Sequence, residues 1–238
     1  AKHCNRGVSS KFGSVDLLEK LGINVELKPE QTKQIIEKIG IGFMYAPIYH
    51  PAIKNVAQIR KKIGHRTIFN LLGPLTNPAN PQTMLIGAYN INVAKNIAYA
   101  IKELGTKRTI VVHGHDGLDE ISPYELTSVF DVNNFGGIER YEIPPFSYFK
   151  NELTDLNVNS AEESADICKK ILYNEKISRR ENKIKIIKET IIFNAGMAIY
   201  VNSKESTRLG AINLARESIQ SGATGKKLEQ LIKATNSF

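Results

Sequence analysis

The sequence predicts an α/β fold with a mainly parallel central sheet flanked by helices and interrupted by an inserted helical element. Three observations carry this expectation. A helix-to-strand step stands close to the start, two capped helices follow it, and from Thr67 the chain alternates strand, helix, strand.

In chain order, "SVDLLEKLGINVEL" predicts a short helix ended by Gly22 and then a strand. "KPEQTKQIIEKIG" predicts a helix with Pro29 in its first turn and Gly40 past its end, and "HPAIKNVAQIRKKIG" repeats that design from Pro51 to Gly64. The apolar "IGFMYAP" joins the two. Beyond Thr67, "TMLIGAY" predicts a strand, "NVAKNIAYAIKELG" an amphipathic helix and "RTIVVHG" a buried strand rich in β-branched residues. Short strands are expected at "LTSVFDV" and "GIERYEI" before "PPF" breaks the pattern. The last third predicts helices, the first long and apolar with Ile184, Ile187, Ile191, Ala195 and Ala198 on one face.

Composition narrows the function classes. The 238 residues carry 42% hydrophobic side chains, enough for a sizeable core. The net charge of +8, from 32 basic against 24 acidic residues, favours anionic partners, whether small phosphorylated substrates or nucleic acid. Basic residues alternate with acids, however, and no stripe of interleaved aromatics offers base stacking. The two cysteines, Cys4 and Cys168, are far apart, which fits neither a zinc cage nor a secreted disulfide framework. No apolar run approaches the roughly 20 residues of a spanning helix. A soluble cytoplasmic protein without nucleic-acid or membrane partners is expected.

Three stretches bear chemistry. In "KHCNRGVSSKFGSVD" (2–16), a Ser/Gly loop running into a helix N-terminus brings backbone N–H groups, hydroxyls, Lys2 and the Arg6 fork within reach of an anion. The same residues are consistent with plain capping by Ser14 or Asp16. In "VVHGHDGLDEIS" (111–122), Asp119 and Glu120 follow a buried strand and stand where open α/β sheets bind ligands. They suit Mg²⁺ completed by water and substrate oxygens, or a solvated surface. His113 and His115, with no nearby Cys, make a poor zinc motif. In the third stretch, His50 and Arg60 are ten residues apart, which on a helix places them within about 80° of each other around the axis. Arg60 would then reach a carboxylate, or else belong to a charged face while His50 caps. Gly73 with Pro74, Pro78 and Pro81 predicts a rigid, non-helical wall, either a slot for a flat substrate or a tight connection.

Taken together, "KHCNR", "SSKFGSVD", "FMYAPIYHPAIKNV", "RTIFNLLGPLTNPA" and the "DE" of "GLDE" resemble the anthranilate phosphoribosyltransferase family along essentially the whole chain. The resemblance implies transfer of a phosphoribosyl group from phosphoribosyl pyrophosphate to anthranilate. It also implies a domain of the nucleoside phosphorylase and phosphoribosyltransferase C-terminal type over 1–26 and 67–238, with 27–66 belonging to a small helical domain. Residue by residue, it implies that Lys2, Asn5 and Ser9 serve the phosphoribosyl pyrophosphate and anthranilate sites. His50, Arg60 and Pro74 would line the channel for the aromatic acid, and Asp119 and Glu120 would bind Mg²⁺; no acid or base catalyst is assigned. Cys4 stands where the family has Gly, so a side chain would crowd the substrate unless its φ is negative. A homodimer, contact with anthranilate synthase components, and a family N-terminal segment upstream of Ala1 are further implications. Two other readings are a pyrimidine nucleoside phosphorylase, whose Lys-Met-Ser-Gly-Arg-Gly differs from "KHCNRG", and a non-catalytic anion-binding or nucleic-acid-binding module.

Overall fold

The computed structural model describes residues 1–7, 12–51, 69–134, 137–147, 156–202 and 207–238. In chain order the elements are β1 (Lys2–Cys4), α1 (Ser14–Lys20), α2 (Pro29–Ile39), β2 (Phe43–Tyr45), α3 (Ala46–Tyr49), α4 (Phe69–Leu75), β3 (Thr83–Gly87) and α5 (Ile91–Leu104). They continue with β4 (Arg108–Gly114), β5 (Thr127–Asn133), β6 (Gly137–Ile143), α6 (Ala161–Leu172), α7 (Asn182–Asn202), α8 (Arg208–Gln220) and α9 (Ala223–Thr235). The helix expected from Pro51 to Gly64 lies, after its first residue, outside the described residues.

Two compact units divide the chain. One gathers Ala1–Asn80, Val158–Glu175 and Gly222–Phe238; the other gathers Pro81–Asn157 and Lys176–Ser221. These boundaries differ from the division at 26/27 and 66/67 that the family resemblance implies.

In the first unit β1 pairs in parallel with β2, Lys2 opposite Phe43 and Cys4 opposite Tyr45, so the apolar link between the predicted helices is itself a strand. The α2 helix forms as its termini predict, with Pro29 at its start and Gly40 at φ +82° donating its N–H to the Ile36 carbonyl. The strand expected at "INVEL" is absent. Ile23, Val25 and Leu27 do alternate inward, each 2–4% exposed, but their segment is extended without a ladder. Ile23 N–H donates to the Leu18 carbonyl at 3.0 Å, Asn24 N–H to Thr235 Oγ1 at 3.2 Å and Glu26 N–H to Asn24 Oδ1 at 3.0 Å, while just before the segment Asn236 Nδ2 donates to the Gly22 carbonyl at 2.9 Å. Val15, Leu18, Leu21, Ile35, Leu228 and Leu231 close a core around these residues.

The second unit holds a four-stranded sheet in the order β3-β4-β5-β6. The β3-α5-β4 crossover is parallel, as the alternation predicts; Asn90 caps α5 by accepting the Val93 N–H at 2.8 Å, and Gly105 at φ +71° ends it. The sheet then departs from the expectation of a mainly parallel arrangement, because β4-β5 and β5-β6 are antiparallel. For β5-β6 chain length is the reason. Only residues 134–136 separate β5 from β6, whereas a parallel return needs a crossover of about a dozen residues or more. The resulting α/β fold has a mixed sheet flanked by helices.

The inward face of α7 also differs from the sequence expectation. Ile186, Thr190, Ile192, Gly196, Met197 and Val201 are buried, while Ala195 and Ala198 are exposed. The helix is apolar on several sides, so its own periodicity does not choose a face. Packing chooses it: an added Cβ on Gly196 would lie 2.7 Å from Ile212 Cα of α8, and Met197 and Val201 join Ile110, Val112, Ile121 and Val129 in one core cluster. Each such buried side chain contributes about 1.5–3 kcal/mol.

Candidate active site

The opening loop is held by charge and by a close backbone approach. Lys2 is exposed, His3 half-buried and Cys4 buried, so burial deepens along β1. Arg6 donates bidentately to Glu19, 2.7 Å for each bond, and its Nε donates to Tyr45 Oη at 3.2 Å. The fork that the sequence offers to an anion is thus committed to a carboxylate of α1. Asp16 Oδ2 accepts the N–H groups of Gly13 at 2.6 Å and Gly7 at 3.3 Å. The Gly13 bond, with the Gly7 bond and Arg6 adding to it, holds the Asp16 carboxyl below the ordinary carboxylate range. Gly13, not Ser14, occupies the helix cap. A Cβ there would lie 2.6 Å from Gly7 N and 2.9 Å from the Asn5 carbonyl oxygen, so the loop closes only around glycine. Asn5 is exposed, with its Oδ1 accepting the Arg6 N–H at 2.9 Å. Ser9 lies outside the described residues.

Cys4 does not reach toward the loop. Its Sγ points into the core and donates to the Met44 carbonyl at 3.6 Å. Burial pushes its thiol up to about 11, and its φ is not positive. Cys4 is therefore accommodated by an ordinary strand conformation.

His3 ties β1 to Gly73 of α4 and to His50. Its Nδ1 lies 3.1 Å from the Gly73 carbonyl, and because that oxygen only accepts, Nδ1 carries the proton. Its ring meets that of His50 edge to face, with centroids 4.8 Å apart. Asn77 Nδ2 donates to the Ala1 carbonyl at 3.2 Å, a second tie between the region after α4 and the start of β1. Lys2 and Pro74 are therefore chain neighbours of groups that touch one another, and His50 is itself in contact. Pro74 lies within α4, which corrects the expectation of a non-helical wall. A proline one residue from the end of a seven-residue helix forfeits little of the hydrogen-bond ladder, and the chain leaves the helix after Leu75. Arg60 lies outside the described residues. The role of His3 is absent from the sequence expectations, and its partners, Gly73 and His50, are distant in sequence.

In the second unit, Asp119 and Glu120 are exposed on the loop that follows β4. The loop is ordered from both sides. Gly114 N–H donates to the Leu118 carbonyl at 2.8 Å around Gly117 at φ +93°, a conformation that favours glycine. Ser122 Oγ donates to Asp116 Oδ2, Ser122 N–H donates to Thr127 Oγ1 at 2.9 Å, and Asn194 Oδ1 accepts the Ile121 N–H at 3.0 Å. Gly87 at the end of β3 leaves space for the Asp119 carbonyl; a Cβ there would overlap it. His113 is buried with Nδ1 2.9 Å from the Ala88 carbonyl, and His115 Nε2 lies 2.9 Å from Ser128 Oγ. Both histidines serve the strands. Among the described residues no three His, Cys, Asp or Glu side chains form a closed metal cage. The acidic pair suits a hard cation that keeps water and substrate oxygens in its shell, as Mg²⁺ does.

Comparison with known proteins gives this arrangement a family. Residues 1–225 match the family model described as "Glycosyl transferase family, a/b domain". The anthranilate phosphoribosyltransferase of Acetivibrio thermocellus is 42% identical over 240 residues, covering all of this chain and 67% of its own length. That of Cupriavidus necator is 44% identical, with 100% and 68% covered. Among solved structures, the anthranilate phosphoribosyltransferase (TrpD) from Thermus thermophilus superposes with a TM-score of 0.85 at 33% identity, over 99% of this chain and 68% of that one. The Saccharomyces cerevisiae enzyme in complex with PRPP and Mg gives 0.87 at 27% identity, over 100% and 65%. The chain thus spans about two thirds of the length of these relatives. With a family model over nearly its whole length and relatives above 40% identity, it belongs to the anthranilate phosphoribosyltransferase family.

Proposed function

We propose that this protein transfers the phosphoribosyl group of phosphoribosyl pyrophosphate to anthranilate, giving phosphoribosylanthranilate and pyrophosphate in tryptophan biosynthesis. The observation that carries the reading is the presentation of Asp119 and Glu120. Two exposed carboxylates on a loop fixed at both ends suit a cation shared with a polyphosphate, and the family relationship supplies the substrates.

When bound there, Mg²⁺ would neutralise the charge that develops on the departing pyrophosphate. Lys2, exposed beside the opening loop, supplies a second positive charge to the anionic cosubstrate. Asn5 and Ser9 serve the phosphoribosyl pyrophosphate and anthranilate sites, as the family relationship implies. His50 and Pro74 line the approach of the aromatic acid, and Arg60 receives its carboxylate. The aryl amine is nucleophilic while neutral, so holding it in line with the ribose C1 supplies much of the acceleration without a strong base. The division into an α/β domain (1–26 and 67–238) and a small-domain segment (27–66), a homodimer, a cytoplasmic location and contact with anthranilate synthase components complete the proposal on the strength of the family relationship. Among the described residues no helix is long and apolar enough to cross a membrane.

The test is loss of anthranilate fluorescence on mixing the full-length protein with phosphoribosyl pyrophosphate and Mg²⁺. Consumption that requires both additions supports the reading. Folded protein that leaves anthranilate untouched but cleaves thymidine or uridine with phosphate would overturn it in favour of a phosphorylase.

A further inference from the structure

We infer that Asn194 is a positioning residue for the Asp119–Glu120 pair, its side-chain amide fixing the peptide that follows Glu120 and so the angle at which the carboxylates meet a divalent cation. The inference rests on the proposed assignment of that pair to the cation.

Asn194 stands on α7, 73 residues along the chain from Ile121. Its Oδ1 accepts the Ile121 N–H at 3.0 Å, and its Nδ2 donates to the Thr190 carbonyl at 2.9 Å and to the Ile121 carbonyl at 3.5 Å. The two carbonyls only accept, so they set which end of the amide faces the Ile121 N–H. Thr190 is buried and donates its own hydroxyl to the Ile186 carbonyl at 2.9 Å, which packs this turn of the helix behind the amide.

The peptide unit between Glu120 and Ile121 is planar. Holding its N–H therefore fixes the plane that begins at the Glu120 Cα. The Ile121 side chain, 0% exposed, anchors the same residue in the core with Ile110, Val112 and Val129. On the other side of the pair, Gly87 admits the Asp119 carbonyl. Exposed carboxylates are thereby carried on a backbone that the sheet and α7 immobilise. This is the arrangement by which outer groups tune a metal site, and their removal typically costs about 10–100-fold in metal affinity or activity.

The experiment uses full-length protein with phosphoribosyl pyrophosphate present and Mn²⁺ as a paramagnetic probe, its affinity read by electron paramagnetic resonance. Alongside it runs the Mg²⁺ dependence of turnover. Asn194→Ala is expected to weaken Mn²⁺ binding and raise half-saturating Mg²⁺ by about tenfold or more, while the KM for anthranilate stays near native. Asn194→Asp keeps the acceptor for the Ile121 N–H and the side-chain size; it is expected to fall between native and Ala, and it serves if the Ala variant does not fold. Mn²⁺ affinity within about twofold of native in both folded variants, or lower stability with unchanged metal dependence, would overturn the positioning role. Asp119→Asn/Glu120→Gln is the control. If it leaves Mn²⁺ affinity unchanged, the assignment of the pair itself fails; if it abolishes binding while the Asn194 variants do not alter it, only the positioning inference fails.

Discussion

The imidazoles of His3 and His50 meet edge to face, with centroids 4.8 Å apart and planes at 71°, and the Nε2 atoms of both are buried with no hydrogen-bond partner among the described residues. With Nδ1 of His3 donating to Gly73, a proton on its Nε2 would have no acceptor among the described residues. Burial is the main reason that His3 titrates below its ordinary value; the Gly73 bond opposes the shift and His50 adds to it. The folded state thus favours neutral His3. Its stabilising contribution is complete above the ordinary histidine range and is lost as the pH falls through the lowered folded value. The urea midpoint should drop from about pH 7.5 to about pH 5, and His3→Asn should make that drop smaller. An equal drop in both proteins would assign the acid sensitivity to other groups.

Removing charge from the acidic pair should be severe. Asp119→Asn with Glu120→Gln is expected to lower turnover by about 100-fold or more, the scale of losing an electrostatic contact made in the transition state. Because both side chains are exposed, the melting temperature should stay close to native. Near-native rates at limiting Mg²⁺ would contradict the assignment.

Gly13 and Gly87 are positions where the fold has no room for a side chain. Gly13→Ala sets a methyl against the backbone of Asn5, Arg6 and Gly7, and overpacking of this kind costs about 1–3 kcal/mol. Since the displaced backbone belongs to the loop that carries Asn5, the KM for phosphoribosyl pyrophosphate should rise together with the loss in urea stability. A stability loss with unchanged KM would separate the loop from the substrate.

Arg108 and Asp131 form a bidentate pair across β4 and β5, at 3.0 Å and 2.5 Å, with Asp131 4% exposed. The guanidinium also lies 4.4 Å from the Tyr200 ring centroid. Asp131→Ala strands that cation on the central strands of the sheet and should destabilise the protein by about 3 kcal/mol, measured by urea unfolding. A loss below about 1 kcal/mol would mean that Tyr200 and water suffice to solvate Arg108.

Cys4 should prove structural. Cys4→Gly removes a buried side chain from β1 and adds backbone freedom, an expected loss of about 1–2 kcal/mol. Because Sγ faces Met44, the KM for anthranilate should not change. With its thiol pushed up to about 11, Cys4 should also resist alkylation at neutral pH until the protein unfolds. Rapid labelling of the folded protein would show an open core.

Local rules reach far into this chain. Pro29 with Gly40 and Asn90 with Gly105 mark their helices because caps act within a turn of the residue that supplies them. The strands from Thr83 to Ile143 are legible from their β-branched and alternating residues, and Asp119 and Glu120 stand out as neighbouring acids after a buried strand. The opening motif is equally legible as chemistry, although the sequence assigns the Arg6 fork to an anion and the fold assigns it to Glu19.

What required the tertiary structure are the choices that depend on partners distant in sequence. The "INVEL" segment has the pattern of a strand yet forms no ladder; the Thr235 side chain, remote in sequence, accepts its Asn24 N–H, and Asn236 donates to the Gly22 carbonyl just before it. The α7 helix is apolar enough to bury several faces, and the sheet with Ile212 of α8 selects one. Asn194 reads as one polar residue in a hydrophobic helix until Ile121 is found against it. By itself the sequence determined the capped ends of α2 and α5 and which residues carry charge, since sterics and capping act over a few residues. Strand direction, the buried face of α7, the His3–His50 contact and the support beneath the acidic pair were decided only when remote segments met, because each hydrogen bond and each burial needs a partner that no local window contains.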